Sequence, residues 1–211
     1  FPVPMYHPTP KGDIDMNAAA QLSREDLWSL EEYSEKREGF RQSILAHKKN
    51  RQLMLGNHMQ LIFEDRQTIH YQIQEMLRIE KVFESAGIQD ELDAYNPLIP
   101  DGDNWKCTML IQYQDVEERK VRLQQLVRIE DLIWVQVGDG QKSFAIADED
   151  MDRSNDDKTS AVHFMRFQFD EASIAAAKAG AEITIGSDHE AYQESLVLPE
   201  DVREALVKDF N

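Results

Sequence analysis

Apolar residues fall at helical spacing along FEDRQTIHYQIQEMLRIE, residues 63 to 80, once the chain has left the end of a strand. Stepping 100° per residue from Ile69, an ideal helix puts Ile73 near about 40°, Met76 near about 340°, Leu77 near about 80° and Phe83 near about 320°. Glu80 falls at about 20°, in line with that apolar stripe. Tyr71, Glu75 and Arg78 cluster on the opposite side, where Glu75 and Arg78 stand three apart and can pair. The pattern predicts a helix over roughly 66–86, capped by Asp65 and ended by Gly87.

The same reading predicts the other elements. Ser23 before REDLWSLEEY marks a helix start, continuing through SEKREGFRQSILAHKKN with a break near Ser34. RQLMLG and HMQLIFED read as strands joined through Gly56-Asn57. IQDELDAY is a short helix leading into the proline-bounded loop NPLIPDGDN. Then come a strand in KCTMLIQYQ, one helix over DVEERKVRLQQLVRIEDLI and a hairpin of WVQV with KSFAIAD. A polar loop, DEDMDRSNDDK, precedes a strong strand, SAVHFMRFQF. The helix DEASIAAAKAG, the strands AEITIGS and ESLVL, and the helix PEDVREALVKDF, with Pro199 in its first turn, complete the chain. Interspersed helices and strands without regular βαβ units predict an α+β fold with a mainly antiparallel sheet. The expected organisation is a single domain over 16–211, with a helical part over about 22–50 and a strand-rich part over about 51–211. Residues 1–15, with four prolines and no core face, read as a foreign or disordered arm before a native start at Met16.

Composition narrows the function. A net charge of −17 argues against nucleic acid and against an anionic membrane surface, and leaves a basic protein partner open. No apolar run approaches a membrane span and no leader is visible, so a reducing cytoplasm is the expected compartment. The single Cys107 excludes an internal disulfide, and an iron–sulfur or thiolate zinc site held within one chain. It sits in an apolar strand run, as a small hydrophobe does.

Glu80 is the first candidate for chemistry. A buried carboxylate needs a partner or a raised pKa. An ion pair with Arg41, Arg128 or Arg166 is the structural reading, and a ligand or metal the functional one. A site on this helix would draw on Arg66, Tyr71, Glu75, Arg78 and Glu80, with a carboxylate as acid or base and arginine holding an anion. It would use one face, completed by the loop around Asn96 or by His163 or His189. Glu80, His163 and His189 are also the weak candidates for metal ligation, although no paired-histidine motif supports them. The acidic loop alternates Asp148, Asp150 and Asp152 like a calcium loop, but Arg153 and Thr159 occupy the positions that need glycine and glutamate. No nucleophile elbow and no phosphate-cradling glycine loop occurs, and no cofactor is expected.

Several blocks together resemble the bacterial family known as domain of unknown function 3501. They are Phe63, Glu64, Arg66, Thr68, Tyr71-Gln72, Glu75-Met76, Arg78 and Glu80; Tyr95 through Pro100; Ser160-Ala161-Val162; Arg166-Phe167; and Asp188-His189 with Tyr192. The resemblance covers roughly Leu22 to the C-terminus. It implies a cytoplasmic protein without an established reaction, in a gene setting that pairs such proteins with a rubrerythrin-like di-iron protein and a cysteine-rich iron–sulfur protein. On that implication the chain is expected to be a non-enzymatic accessory or binding protein of a redox system. An enzyme or metal-binding protein is the alternative, and a homodimer joined through the Tyr71, Glu75 and Arg78 face is the second.

Overall fold

The computed structural model describes residues 21–211. The expectations for residues 1–15 and Met16 lie outside the described residues. In chain order the elements are α1 (Leu30–Lys48), β1 (Gln52–Leu55), β2 (Met59–Glu64), α2 (Arg66–Glu80), α3 (Ser85–Tyr95) and β3 (Asn104–Ile111). There follow α4 (Val116–Gln125), β4 (Ile133–Val137), β5 (Ser143–Phe144), β6 (Ile146–Ala147) and β7 (Val162–Gln168). The chain closes with α5 (Glu171–Lys178), β8 (Ile183–Ser187), β9 (Ser195–Val197) and α6 (Glu200–Val207). The fold is α+β, as its sequence predicts.

Its strands form two antiparallel sheets, ordered β1-β2-β3-β7-β6 and β5-β4-β8-β9. Period-two alternation puts Leu61, Phe63, Trp105, Cys107, Met109, Met165 and Phe167 on one face of the first sheet. They share a single buried core with Ile133, Val135, Ile183 and Ile185 of the second. Val202 and Leu206 of α6 and Phe210 complete that core, and the Trp105 indole N–H donates to the Leu206 carbonyl at 3.0 Å. The β1–β2 hairpin turns at Gly56, whose φ of 65° suits glycine.

On the other side of the first sheet lie α1, α2 and α3, with a smaller core of their own. Ile69, Ile73 and Leu77 of α2 meet Leu22, Leu27, Leu92 and Ile99 there. Ser29 caps α1 and Asp65 caps α2, each reciprocated by the residue three positions on. The first turn of α2 is tied to the sheet through Glu64, which accepts from Thr68 Oγ1 at 2.5 Å and Thr108 Oγ1 at 2.9 Å.

Several boundaries differ from the sequence reading. Leu27–Ser29 separates a short 3₁₀ turn from α1, while Ser34 lies within α1. α2 stops at Glu80, six residues early, because Lys81 takes the left-handed conformation (φ 54°) and the Val82 N–H closes onto the Leu77 carbonyl. Gly87 instead lies inside α3. The helix expected over DVEERKVRLQQLVRIEDLI is broken, with Arg128 left-handed between α4 and a 3₁₀ turn at Ile129–Asp131. KSFAIAD is divided: β5 pairs with β4, whereas β6 crosses to the first sheet beside β7. Pro199 is the N-cap of α6 rather than part of its first turn. No helix among the described residues is long and apolar enough to cross a membrane.

Candidate functional site

The outward faces of β3 and β7 set Lys106 directly opposite Arg166, and Thr108 opposite Phe164. Like charges across a strand pair repel, so each base needs an anion. Arg166 has Glu149, held by two hydrogen bonds of 2.8 and 3.0 Å, and Lys106 has Asp101 at 3.6 Å. Above this floor Met76 of α2, Ala94 and Tyr95 of α3, and Pro97-Leu98 overhang the sheet. The space between is a groove of roughly 530 Å³.

Its apolar floor is Phe164, and its charged lining is Lys106 and Arg166 against Glu91, Asp93, Glu149 and Asp150. Since the bases are engaged, the groove is acidic in balance. The Arg166 guanidinium holds the Glu149 carboxyl below its usual range, and Arg153 does the same for Asp150. Glu91 moves the other way, pushed up by burial and then by the neighbouring charges of Glu80 and Asp90. Among the described residues no lysine or arginine ion-pairs with Glu91.

β7 separates this groove from the protein interior. Phe164 and Arg166 line the groove, while His163, Met165 and Phe167 are buried. His163 is fully buried, with Asp148 Oδ2 at 2.6 Å from its Nδ1. Arg153 reaches across the loop to Asp148 and Asp150 and lies over the Phe164 ring at 4.7 Å. Asp148 and Asp150 of the acidic loop are therefore paired within it.

The chain matches, over residues 21–210, the family described as "Protein of unknown function (DUF3501)". It belongs to the DUF3501 family. A solved crystal structure, a novel protein of unknown function from Burkholderia pseudomallei, is similar to it with 46% identity and a TM-score of 0.87. That similarity covers 91% of this chain and 100% of the other. No curated protein matches the chain.

Residues that carry the DUF3501 resemblance on α2 do not converge. Glu80 is exposed at the end of the helix, and α2 has left the helical core by its last turn. The expected burial of Glu80 and its pairing with Arg41, Arg128 or Arg166 are corrected accordingly: Arg166 holds Glu149, and Arg128 faces Asp131 at 3.9 Å. The stripe's Phe83 is 72% exposed. The ion-pair logic applies instead to Glu75. Its carboxylate accepts from Tyr33 Oη at 2.7 Å, from Arg37 at 2.7 and 3.0 Å, and from Arg78 at 3.3 Å. Arg37, then Tyr33 and Arg78, hold Glu75 at about 2, while burial and that carboxylate push the Tyr33 hydroxyl up. α1 thus covers Tyr71 and Glu75 on this face, where the Tyr71 ring meets Phe40 at 5.7 Å, and leaves Arg78 exposed. Arg66 pairs with Asp26 at 2.8 Å.

Two other residues fasten the DUF3501 chain to itself. The Asn96 amide donates to the Leu22 carbonyl, and its Oδ1 accepts from the Leu22 N–H, both at 2.8 Å. His189 is buried, accepting from the Ala191 N–H at Nδ1 and donating from Nε2 to the Val127 carbonyl, both at 3.1 Å. Glu80, His163 and His189, named from the sequence as weak candidates for metal ligation, are not brought together: Glu80 is exposed on α2 and the two histidines are buried with separate partners. Cys107 is buried, and burial followed by Glu64 pushes its thiol well up, as fits a small hydrophobe. Of the sequence candidates only Arg166 lines the groove. Lys106, Phe164, Glu149 and Asp150 were missed there; strand alternation marks Phe164 and Arg166 as a common face, but nothing in the sequence sets Lys106 opposite them.

Proposed function

We propose that this DUF3501 chain is a non-enzymatic accessory protein that holds a basic, apolar-bearing segment of a protein partner in the groove between α2, α3 and β7. The groove's composition carries the reading: an apolar floor around Phe164, with Glu149 and Asp150 paired to Arg166 and Arg153, and with Glu91 and Asp93 ion-paired to no lysine or arginine among the described residues. A partner lysine or arginine would meet Glu91 and Asp93, while apolar side chains would cover Phe164 and Met76. Net charge of −17 supports steering of a basic surface toward it. The gene setting implied by the family resemblance supplies the partner class, a rubrerythrin-like di-iron protein or a cysteine-rich iron–sulfur protein. The chain would stabilise or assemble such a partner rather than carry its electrons.

Mild crosslinking in the native cell at low salt, followed by capture of a tagged copy, tests this. Wild type is expected to retain an iron–sulfur or di-iron protein, and Phe164→Glu and Glu91→Lys variants to lose it. Capture of neither protein, or equal capture by folded variants, overturns the proposal.

A further inference from the structure

Behind the groove, three side chains from separate parts of the chain meet around His163. Glu130 comes from the 3₁₀ turn before β4, Asp148 from the position just after β6, and His163 from β7. Their side chains are 4%, 6% and 0% exposed. One ligand atom from each lies within 4.8 Å of the other two. His163 Nδ1 is 2.6 Å from Asp148 Oδ2, and Nε2 is 3.8 Å from Glu130 Oε2.

The two carboxylates are not equally provided for. Asp148 Oδ1 accepts from the Phe164 N–H at 3.0 Å and from Arg153 at 3.1 Å, which fixes the carboxylate and aims Oδ2 at the imidazole. Glu130 has the Thr159 hydroxyl at 3.2 Å. Among the described residues no lysine or arginine lies within ion-pairing distance of it. The imidazole nitrogen facing Glu130 has nearer neighbours, the Thr159 hydroxyl at 2.8 Å and the Ser160 carbonyl at 3.0 Å. A carboxylate this deeply buried, aimed into the cluster and answered at hydrogen-bond distance by one hydroxyl, is costly without a cation.

We propose that Glu130, Asp148 and His163 bind a first-row divalent cation of the Zn²⁺ or Mn²⁺ type. One imidazole nitrogen with two carboxylate oxygens suits these ions. It provides too few oxygens for Ca²⁺, which takes six to eight, and no thiolate for Cu⁺. Binding displaces an imidazole proton of His163 to solvent, draws the three side chains together around the ion and gives Glu130 its countercharge. Thr159 and Ser160 remain beside the ligands as orienting neighbours.

The consequence is mechanical. Asp148 and His163 begin and end the segment that supplies Glu149, Asp150 and Arg153 to the groove side. A cation joining them to Glu130 would pin the acidic loop to the second sheet, because the Glu130 turn leads directly into β4. This inference does not depend on what occupies the groove.

The test uses the full chain stripped with a chelator, then titrated with Zn²⁺ alone and Mn²⁺ alone by calorimetry, with bound metal counted by elemental analysis. Near one equivalent is expected, with a rise in Tm of about 5 °C at saturating metal. Glu130→Gln keeps the side-chain shape and the Thr159 contact, and is expected to weaken binding at least about tenfold and abolish most of the Tm increment. No binding by wild type, or undiminished binding by a folded Glu130→Gln variant, overturns the site. If that variant does not fold, the ring-nitrogen resonances of wild-type histidines decide: a shift at His163 with one equivalent of Zn²⁺ supports the site, and shifts confined to other histidines overturn it.

Discussion

Glu75 and Glu80 are five residues apart on one helix and have opposite fates. Glu75 joins α1 to α2 through Arg37 and Tyr33, whereas Glu80 is exposed. Glu75→Gln is therefore expected to cost about 2 kcal/mol in chemical denaturation, since it unpairs Arg37 and weakens the Tyr33 bond. Glu80→Gln should stay within about 0.5 kcal/mol. The pH dependence has a definite sign. Glu75 ionises at about 2 in the folded chain against an ordinary 4.5, so its contribution is present above 4.5 and is lost as pH falls toward 2. The Glu75→Gln variant should show a shallower acid limb over that window. The helix period made Glu80 look buried because it describes an unbroken helix, while burial depends on where the neighbours end. No glycine marks the stop at Lys81, so Gly87 drew the expected boundary too far along. A left-handed lysine is strained by its Cβ. Lys81→Gly should raise stability by about 0.5–1 kcal/mol in the same measurement, and a loss would contradict the left-handed cap.

The same limit appears between elements. Strand alternation revealed the inner faces of β2, β3 and β7 because each is a local pattern. The ties that hold elements together are long-range and left no such trace. Arg51, immediately before β1, is buried, and its guanidinium reaches Asp209 after α6 at 2.5 and 3.2 Å and the Phe63 carbonyl at 3.0 Å. It also faces Asp65 at 3.4 Å, which His47 approaches at 2.5 Å. Neither Arg51 nor Asp209 stood out in the sequence, since nothing local brings together residues 158 positions apart. Burial pushes Asp209 up to about 6 from an ordinary 3.8, despite the guanidinium that it shares with Asp65. A raised carboxyl binds its proton more tightly in the folded chain, so its contribution is fully present below 3.8 and lost as pH rises through 6. Asp209→Asn should flatten the fall in stability over that window, as read from Tm against pH. A slope unchanged by the substitution would place the titration elsewhere.

For the whole molecule, charge acts at two ranges. Net charge of −17 creates a field that reaches beyond the groove, whereas Glu91 and Asp93 act only on a group that has already docked. Salt screens the first over about 10 Å at 0.1 M and affects the second less. The two contributions therefore separate kinetically once a basic partner segment is in hand. Neutralising Glu171 and Glu204, which are exposed on α5 and α6 and do not line the groove, should slow association and reduce its dependence on salt. Dissociation should remain unchanged. Glu91→Gln with Asp93→Asn should do the reverse, raising the dissociation rate by about tenfold with a smaller effect on association. Stopped-flow mixing at several salt concentrations reads both rates. If the distant pair changes dissociation as strongly as the groove pair does, the partner sits elsewhere on the acidic surface, and the groove's acid balance is only a part of the general charge.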